Sequence, residues 1–322
     1  MIVAAKPRIL LIGAGAMGSR HARVIAQSEA ATLSMVVDPR ESFGRALAEQ
    51  FGSKWAPNLD SLDNIHEFDG AVIAAATEAH HGIALKLMSA KLPLLIEKPV
   101  ADSLSKTLEL LDLSSQLDLP LMCGFVERFN PAIVTARPLF DSPKHVVATR
   151  HSPYAPRSVT GVGWDLLVHD VDLLVQAFGA EPIDVTGLVG TFDPRSRPEA
   201  DDIAEALMRF PGGGVGHVSA SRISQRKVRS LWVHDLDKLI DIDLLRRNVT
   251  IYRNVSDQTA DESGRGYRQE TIIEIPEIIT SVEPLMAQFA HFMELLAGRV
   301  DAGDERASIV TPHSVVAQLT QK

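Results

Sequence analysis

Short apolar runs alternate with helix-period segments through the first 124 residues. The runs "RILLI" at 8–12, "LSMVV" at 33–37, and those at 70–75, 93–96 and 119–124 have the length and composition of buried parallel strands. Between them, residues 17–27, 41–51, 80–90 and 103–117 repeat apolar positions at helical spacing. Strands alternating with helices predict right-handed crossovers and a doubly wound parallel sheet covered on both faces. Beyond residue 124 the rhythm changes. Runs such as "IDVTGLVGTF", "IAEALMRF", "VRSLWVHD" and "NVTIYRN" alternate apolar with polar positions and are separated by turn residues, as in antiparallel strands, and "RQETIIEIP" closes that sheet. Ser281 is expected to cap a helix with Leu285, Phe289, Phe292, Met293 and Leu296 facing inward and a stop near Gly298. Residues 256–266, "SDQTADESGRG", read as a loop. The expected architecture is an α/β Rossmann domain over 1–123, followed over 124–322 by an α+β domain with a large, mainly antiparallel, open-faced sheet.

One predicted helix is unusual. In "GWDLLVHDVDLL", residues 163–174, Leu167, Val171 and Leu174 fall on one face together with Val175 and Phe178. Asp165, His169, Asp172 and Gln176 form a second stripe on roughly the opposite side. The first stripe requires a core; the second requires either water or a function.

Bulk properties narrow the field. The chain has 322 residues, 45% of them hydrophobic and 23% charged, enough for two well-buried globular domains. A net charge of −9 argues against a dedicated nucleic-acid binder. Cys123 is the single cysteine, which excludes an internal disulfide framework and fits a reducing cytoplasm. No run reaches the roughly 18 apolar residues of a membrane span, so the expected protein is soluble and cytoplasmic.

Candidate chemistry begins at "IGAGAMG". Gly13, Gly15 and Gly18 follow a strand and precede a helix in G-x-G-x-x-G spacing. The first glycine makes a tight turn, the second admits a pyrophosphate against the backbone, and the third lets helix and strand pack closely. Asp38 ends the second strand, where an acid binds the adenosine ribose hydroxyls and favours NAD, while Arg40 keeps NADP open. At 94–99, "LLIEKP" puts Lys98 at the end of a buried strand, beside Glu97. A lysine there is either neutralised by its neighbour or working, because ligands of doubly wound sheets sit beyond the carboxyl ends of the strands.

On "GAGAMG", Asp38, "TEAH" at 77–80, "EKP" at 97–99 and "DLLVHDVD" at 165–172, the sequence resembles the glucose–fructose oxidoreductase/inositol dehydrogenase/rhizopine-catabolism (Gfo/Idh/MocA) family across both domains. The resemblance implies an NAD(P)-dependent dehydrogenase acting on a CH–OH group of a sugar. It implies that Lys98, Asp165 and His169 surround the carbon that exchanges hydride. His169 would take the hydroxyl proton, Lys98 would hold the substrate oxygen, and Asp165 would orient substrate or imidazole. It further implies a cofactor site formed by Gly13, Gly15, Ala16, Met17, Gly18, Asp38, Thr77, His80, Glu97 and Lys98. Ala75 and Ala76 stand where the family often has Thr-Pro, which leaves backbone contacts to the cofactor at that point. Asp172 is expected to cap or pair within the fold, and no metal is expected.

The segment "GFVERFNPA" at 124–132 is similar to the branch containing UDP-N-acetylglucosamine 3-dehydrogenases, with Phe125 where that branch has histidine. Arg128 and Asn130 are then candidates to contact the sugar; equally, they form an arginine–carboxylate pair and an asparagine turn before Pro131. The cluster "RISQRKVRS" supplies Arg222, Arg226, Lys227 and Arg229, either a grip for a diphosphate or a solvated hairpin end. Alternatives to a nucleotide-sugar substrate are inositol, a polyol or a free sugar, an NADPH-dependent keto-sugar reductase, and a non-catalytic dinucleotide-binding regulator. The family resemblance also implies a homodimer or homotetramer joined through the second domain's sheet.

Overall fold

A computed structural model describes residues 5–155, 160–198, 200–259 and 266–321. The N-terminal chain forms β1 (Arg8–Ile12), α1 (Ala16–Gln27), β2 (Thr32–Val37), α2 (Glu41–Gln50), β3 (Lys54–Ala56), β4 (Gly70–Ile73), α3 (Thr77–Ser89), β5 (Leu94–Ile96), α4 (Leu104–Gln116) and β6 (Leu121–Cys123). The six strands are parallel, in the order β3-β2-β1-β4-β5-β6. That order reverses between β1 and β4, which opens a crevice beyond the carboxyl ends of the strands. Ile9, Leu10, Leu11, Val72, Ile73, Leu95 and Ile96 are fully buried, as a sheet covered on both faces demands.

The next stretch begins with α5 (Pro131–Ala136) and β7 (His145–His151). One π-helical turn, Gly163–Leu167, then runs directly into α6 (Val168–Phe178). Strands β8 (Asp184–Gly190), β9 (Ile203–Arg209), β10 (Val215–Ser221), β11 (Val228–His234), β12 (Leu239–Asp243), β13 (Asn248–Thr259) and β14 (Gly266–Glu274) follow. They form one eight-stranded sheet in the order β14-β13-β12-β11-β7-β10-β9-β8, antiparallel except for the β7–β10 pair. Helix α6 packs on β7 and β10, covering one face of this sheet. Part of the expected loop at 256–266 is strand: residues 256–259 and 266 extend the β13–β14 hairpin, while 260–265 lie outside the described residues.

The C-terminal chain departs from expectation. Helices α7 (Pro284–Leu296) and α8 (Ala302–Thr320) follow the sheet, yet residues 283–317 form one compact unit with residues 1–126, and the second unit comprises 127–282 with 318–321. The expected second domain, 124–322, is therefore interrupted. The cause is the apolar face of α7: Leu285, Phe289 and Phe292 are buried, α7 packs on α1, and Phe292 and Leu296 lie over Gly70 of β4. Burying each such side chain contributes about 1.5–3 kcal/mol, which outweighs sequence proximity to the sheet. Arg23 of α1 adds an ion pair of 2.6 Å to Glu283. Ser281 does not cap this helix; Glu283 occupies the N-cap without a side-chain bond and Pro284 opens the first turn.

Gly18 marks the tightest approach in the first unit. A Cβ there would lie 1.9 Å from the Gly13 carbonyl oxygen. Gly18→Ala is expected to lower unfolding free energy by about 1–3 kcal/mol through overpacking, read from urea midpoints. An unchanged midpoint would show that the turn yields at little cost.

Candidate active site

In the nucleotide-binding unit, β1 delivers the chain into the glycine turn. Gly13 has φ +101°, and a Cβ on it would meet the Ala74 carbonyl at 2.5 Å. A Cβ on Gly15 would meet nothing within 4 Å, so the bare backbone faces open space. Helix α1 has no side-chain cap at Gly15, which leaves its first amides, at Ala16, Met17 and Gly18, for a ligand. Gly13, Gly15, Ala16, Met17, Asp38, Arg40, Ala75 and Ala76 all line one cleft of about 840 Å³. A diphosphate fits this cradle of bare glycine, unclaimed amides and helix dipole.

Asp38 is 2% exposed and fully engaged. Its Oδ2 accepts from the Ala14 amide at 2.7 Å and from Arg40 Nη2 at 2.8 Å; its Oδ1 accepts from the Arg40 amide at 2.9 Å and from Arg40 Nε at 3.0 Å. Burial pushes the carboxyl up, but these donors outweigh it and hold Asp38 below the usual aspartate range. Thr77 opens α3, directly after Ala76 in the cleft wall.

His80 and Glu97 hold the walls rather than face the cleft. The buried His80 ring places Nδ1 3.0 Å from the Pro99 carbonyl and Nε2 3.2 Å from the Ala75 carbonyl, tying the chain after β4 to the chain after β5. Burial drives its pKa below the ordinary histidine value against the pull of those carbonyls. Glu97 Oε1 lies 2.7 Å from His21 Nε2, both side chains being buried, and the Glu97 amide donates to Ile73. The two residues expected to touch cofactor tie parts of the unit together, His80 through both ring nitrogens and Glu97 through Oε1 and its amide. Lys98 follows at the mouth of β5, partly exposed. Two residues on, the Val100 amide donates to His313 Nε2 at 3.1 Å, while His313 Nδ1 lies 2.8 Å from the Ile309 carbonyl. No sequence reading singled out His21 or His313; only the return of α8 to this unit makes the latter relevant.

In the second unit, the π turn and α6 carry Asp165 and His169. The buried Gly163 amide donates to Asp201 Oδ2 at 2.7 Å, anchoring the start of the turn. Asp165 is partly exposed and pairs with Arg222 at 3.4 Å; His169 is 7% exposed. The polar stripe is half buried: Asp172, like His169, is buried, whereas Asp165 and Gln176 are partly exposed, and neighbouring Asp170 is buried as well. Asp170 accepts from Arg150 Nε at 2.9 Å and Nη2 at 2.8 Å. Asp172 accepts from Arg128 Nε at 2.9 Å and Nη2 at 2.6 Å. Arg150 also donates to Glu127 at 2.9 Å, as does Arg229 at 3.2 Å. Burial and neighbouring Glu127 leave the Asp170 carboxyl raised despite Arg150, whereas the two carboxylates overcome burial and raise the Arg150 guanidinium. Burial pushes Glu127 up too, but Arg150, Asn130 and Arg229 bring it below the ordinary glutamate value.

The "ERFNP" segment is thus an anchor. Arg128 forms the arginine–carboxylate pair. Asn130 caps α5 through the Ala132 amide and donates both amide protons, to Glu127 and to the Leu244 carbonyl. At 3% exposure it retains no proton for a sugar, so the asparagine turn replaces the expected substrate contact. The basic cluster divides as well: Arg222 and Arg229 turn to the acids, and Arg226 and Lys227 are exposed. Among the described residues, no group of three or more His, Cys, Asp or Glu side chains converges to hold a metal, and no helix is long and apolar enough to cross a membrane.

A doubly wound sheet with a glycine cradle, joined in sequence to an open-faced sheet carrying a D-x-x-x-H turn, defines a two-unit dinucleotide-dependent oxidoreductase. Residues 7–125 match the oxidoreductase family described as having an NAD-binding Rossmann fold, and residues 132–234 match the GFO/IDH/MocA C-terminal domain. The chain is 30% identical over 246 residues, 75% of each chain, to UDP-N-acetylglucosamine 3-dehydrogenase from Acidithiobacillus ferrooxidans. It is 25% identical over 227 residues, 67% of this chain and 68% of the other, to inositol 2-dehydrogenase from Rhizobium meliloti. A solved structure of the Acidithiobacillus ferrooxidans enzyme superposes with a TM-score of 0.82 at 25% identity, covering 98% of this chain and 97% of that one. The chain belongs to the Gfo/Idh/MocA family. It is an NAD-binding dehydrogenase, which sets aside the non-catalytic regulator.

Two expectations follow. Arg150→Met leaves Asp170 and Glu127 buried without their main counter-charge and is expected to cost about 3–5 kcal/mol, seen as a lower urea midpoint by tryptophan fluorescence. A loss below 1 kcal/mol would mean that water reaches those carboxylates. Separately, burial lowers the pKa of His80, His151 and His234. The unfolded chain takes up these protons near pH ~6.5, where the folded protein refuses them. Stability is then full above about pH 6.5 and declines as pH falls toward the lower folded values. Urea midpoints measured from pH 7.5 to 5 should fall less steeply in His80→Gln than in the native protein; parallel slopes would remove His80 from the effect.

Proposed function

We propose that the protein oxidises a ring hydroxyl of a sugar with NAD, and that the substrate is a nucleotide sugar, UDP-N-acetylglucosamine at C3 being the first candidate. The observation that carries this reading is the turn from Asp165 to His169. It has the spacing of the family's hydride-transfer set, Asp165 is paired with Arg222, and Asp170 and Asp172 just beyond it are paired with Arg150 and Arg128. His169 takes the hydroxyl proton, an imidazole being able to do so near neutral pH. Lys98 holds the substrate oxygen and stabilises the negative charge that develops there. Asp165 orients the substrate. Bound NAD supplies the nicotinamide carbon that accepts the hydride.

The likeness to UDP-N-acetylglucosamine 3-dehydrogenase supports the nucleotide sugar. One observation favours a second reading, a cyclic polyol such as inositol. Arg128 and Asn130, on which the nucleotide-sugar resemblance partly rests, are committed inside the fold, and inositol 2-dehydrogenase is also a relative. The exposed apolar residues Leu188, Leu207 and Trp232 on the eight-stranded sheet support a homodimer or homotetramer.

The test is NADH formation with NAD and either UDP-N-acetylglucosamine or myo-inositol, the first coupled to a 3-keto-sugar aminotransferase to draw the oxidation forward. His169→Ala and Lys98→Ala are each expected to lower kcat at least about 100-fold, with NADH binding retained in a fluorescence titration. Turnover of inositol alone would select the second reading. Unimpaired turnover in both variants would remove these residues from the chemistry.

A further inference from the structure

Lys98 stands in a short segment whose neighbours are tied to different parts of the unit. Ahead of it, the Glu97 amide donates to the Ile73 carbonyl of β4 at 2.9 Å, and the Glu97 side chain meets His21 of α1. Behind it, the Pro99 carbonyl lies 3.0 Å from His80 Nδ1 of α3. These ties come from the βα repeats that precede β5. The last one does not: the Val100 amide donates at 3.1 Å to Nε2 of His313, on α8, 213 residues further along the chain. Val100 and His313 are both 0% exposed, so neither can turn to water instead. The Ile309 carbonyl, 2.8 Å from His313 Nδ1, takes the ring's proton, which leaves Nε2 as the acceptor and fixes the tautomer. Between Val100 and Lys98 stands a single residue, Pro99, whose ring fixes its φ. A shift of the Val100 amide is therefore passed on to Lys98 with little taken up on the way.

We propose that His313 is a positioning residue for Lys98: by holding the Val100 amide from α8, it sets where the lysine stands when the substrate oxygen arrives. Without that acceptor the buried amide is left unsatisfied, and the segment must move to find another partner. A displacement of about 1 Å at a group that meets a reacting oxygen costs up to about 100-fold in rate. The inference rests on the reading of Lys98 as the group that holds the substrate oxygen, and it is independent of which sugar is oxidised.

The experiment is a double-mutant cycle between His313 and Lys98, with NADH formation read on UDP-N-acetylglucosamine and on myo-inositol and circular dichroism confirming each fold. His313→Met removes the acceptor at similar volume, whereas His313→Gln keeps an oxygen that can accept from Val100. His313→Met should lower kcat at least about tenfold, and His313→Gln should recover most of that loss. The NADH dissociation constant should stay within about twofold of native in both. In the Lys98→Ala background, His313→Met should lower kcat by less than about twofold. An equal loss in both backgrounds overturns the proposal, because His313 would then support the fold rather than the lysine. Unimpaired turnover in Lys98→Ala alone removes the lysine from the chemistry and the proposal with it, an outcome seen without any change at His313. Amide hydrogen exchange by mass spectrometry gives a readout independent of turnover. The peptide spanning 97–103 should exchange slowly in the native protein and at least about fivefold faster in His313→Met, with the rest of the first unit unchanged. Rapid exchange there in the native protein, or no acceleration in His313→Met, overturns the proposal as well.

Discussion

Three aspartates within eight residues of a buried turn and helix impose one requirement: each charge must be met where it stands. Asp165 meets Arg222, Asp170 meets Arg150, and Asp172 meets Arg128. The penalty for removing an ion from water is several kcal/mol even after relaxation, so the buried Asp170 and Asp172 are not tolerable alone, while Asp165 keeps partial access to water. The arginines come from the end of β10, from β7 and from the turn ahead of α5. Three separate parts of the unit therefore converge on the one helix. In return, the helix that carries His169 is held in rotation and in height, which a purely apolar face would allow to slip. The π turn at Gly163–Leu167 matters here, because its wider winding gives Asp165 a different direction from the acids that follow.

This matching explains which parts of the molecule were legible in sequence. The doubly wound half was legible because each βα unit is local: an apolar run, a turn and an amphipathic helix contain their own signal. The glycine turn was legible for the same reason. Arg128, Asn130, Arg222 and Arg229 were visible as polar residues in telling places, but their partners lie 44, 114, 57 and 102 residues away. No periodicity reports such a distance. A basic cluster read as a possible grip for phosphate divides, because Arg222 and Arg229 sit at the end of β10 and in β11 beside the acids, whereas Arg226 and Lys227 lie in the exposed turn between those strands.

The placement of the C-terminal helices was hidden for a different reason, although α7 itself forms where its apolar period predicts. Helix α7 announces its apolar face clearly but not the surface that receives it. Helix α8 carries Pro312 in its interior and has little hydrophobic asymmetry, so neither period nor breaker rules favour a 19-residue helix there. Tertiary contact overrides both. The same return brings His313 to the segment behind Lys98 and gives Val100 its hydrogen-bond acceptor.

The two units use one chemical pair in different settings. Arg150 on Asp170 and Arg40 on Asp38 are both bidentate guanidinium–carboxylate contacts, with closest distances of 2.8 Å in each. They differ in where the arginine is. Arg150 is 3% exposed, so releasing Asp170 would strand two buried charges, and the pair is permanent. Arg40 is 53% exposed, so it can leave Asp38 and be received by water. Asp38, by contrast, is 3% exposed, and without that side chain it keeps the amides of Ala14 and Arg40 as its donors. Burial of the cation, rather than the geometry of the pair, distinguishes the two contacts.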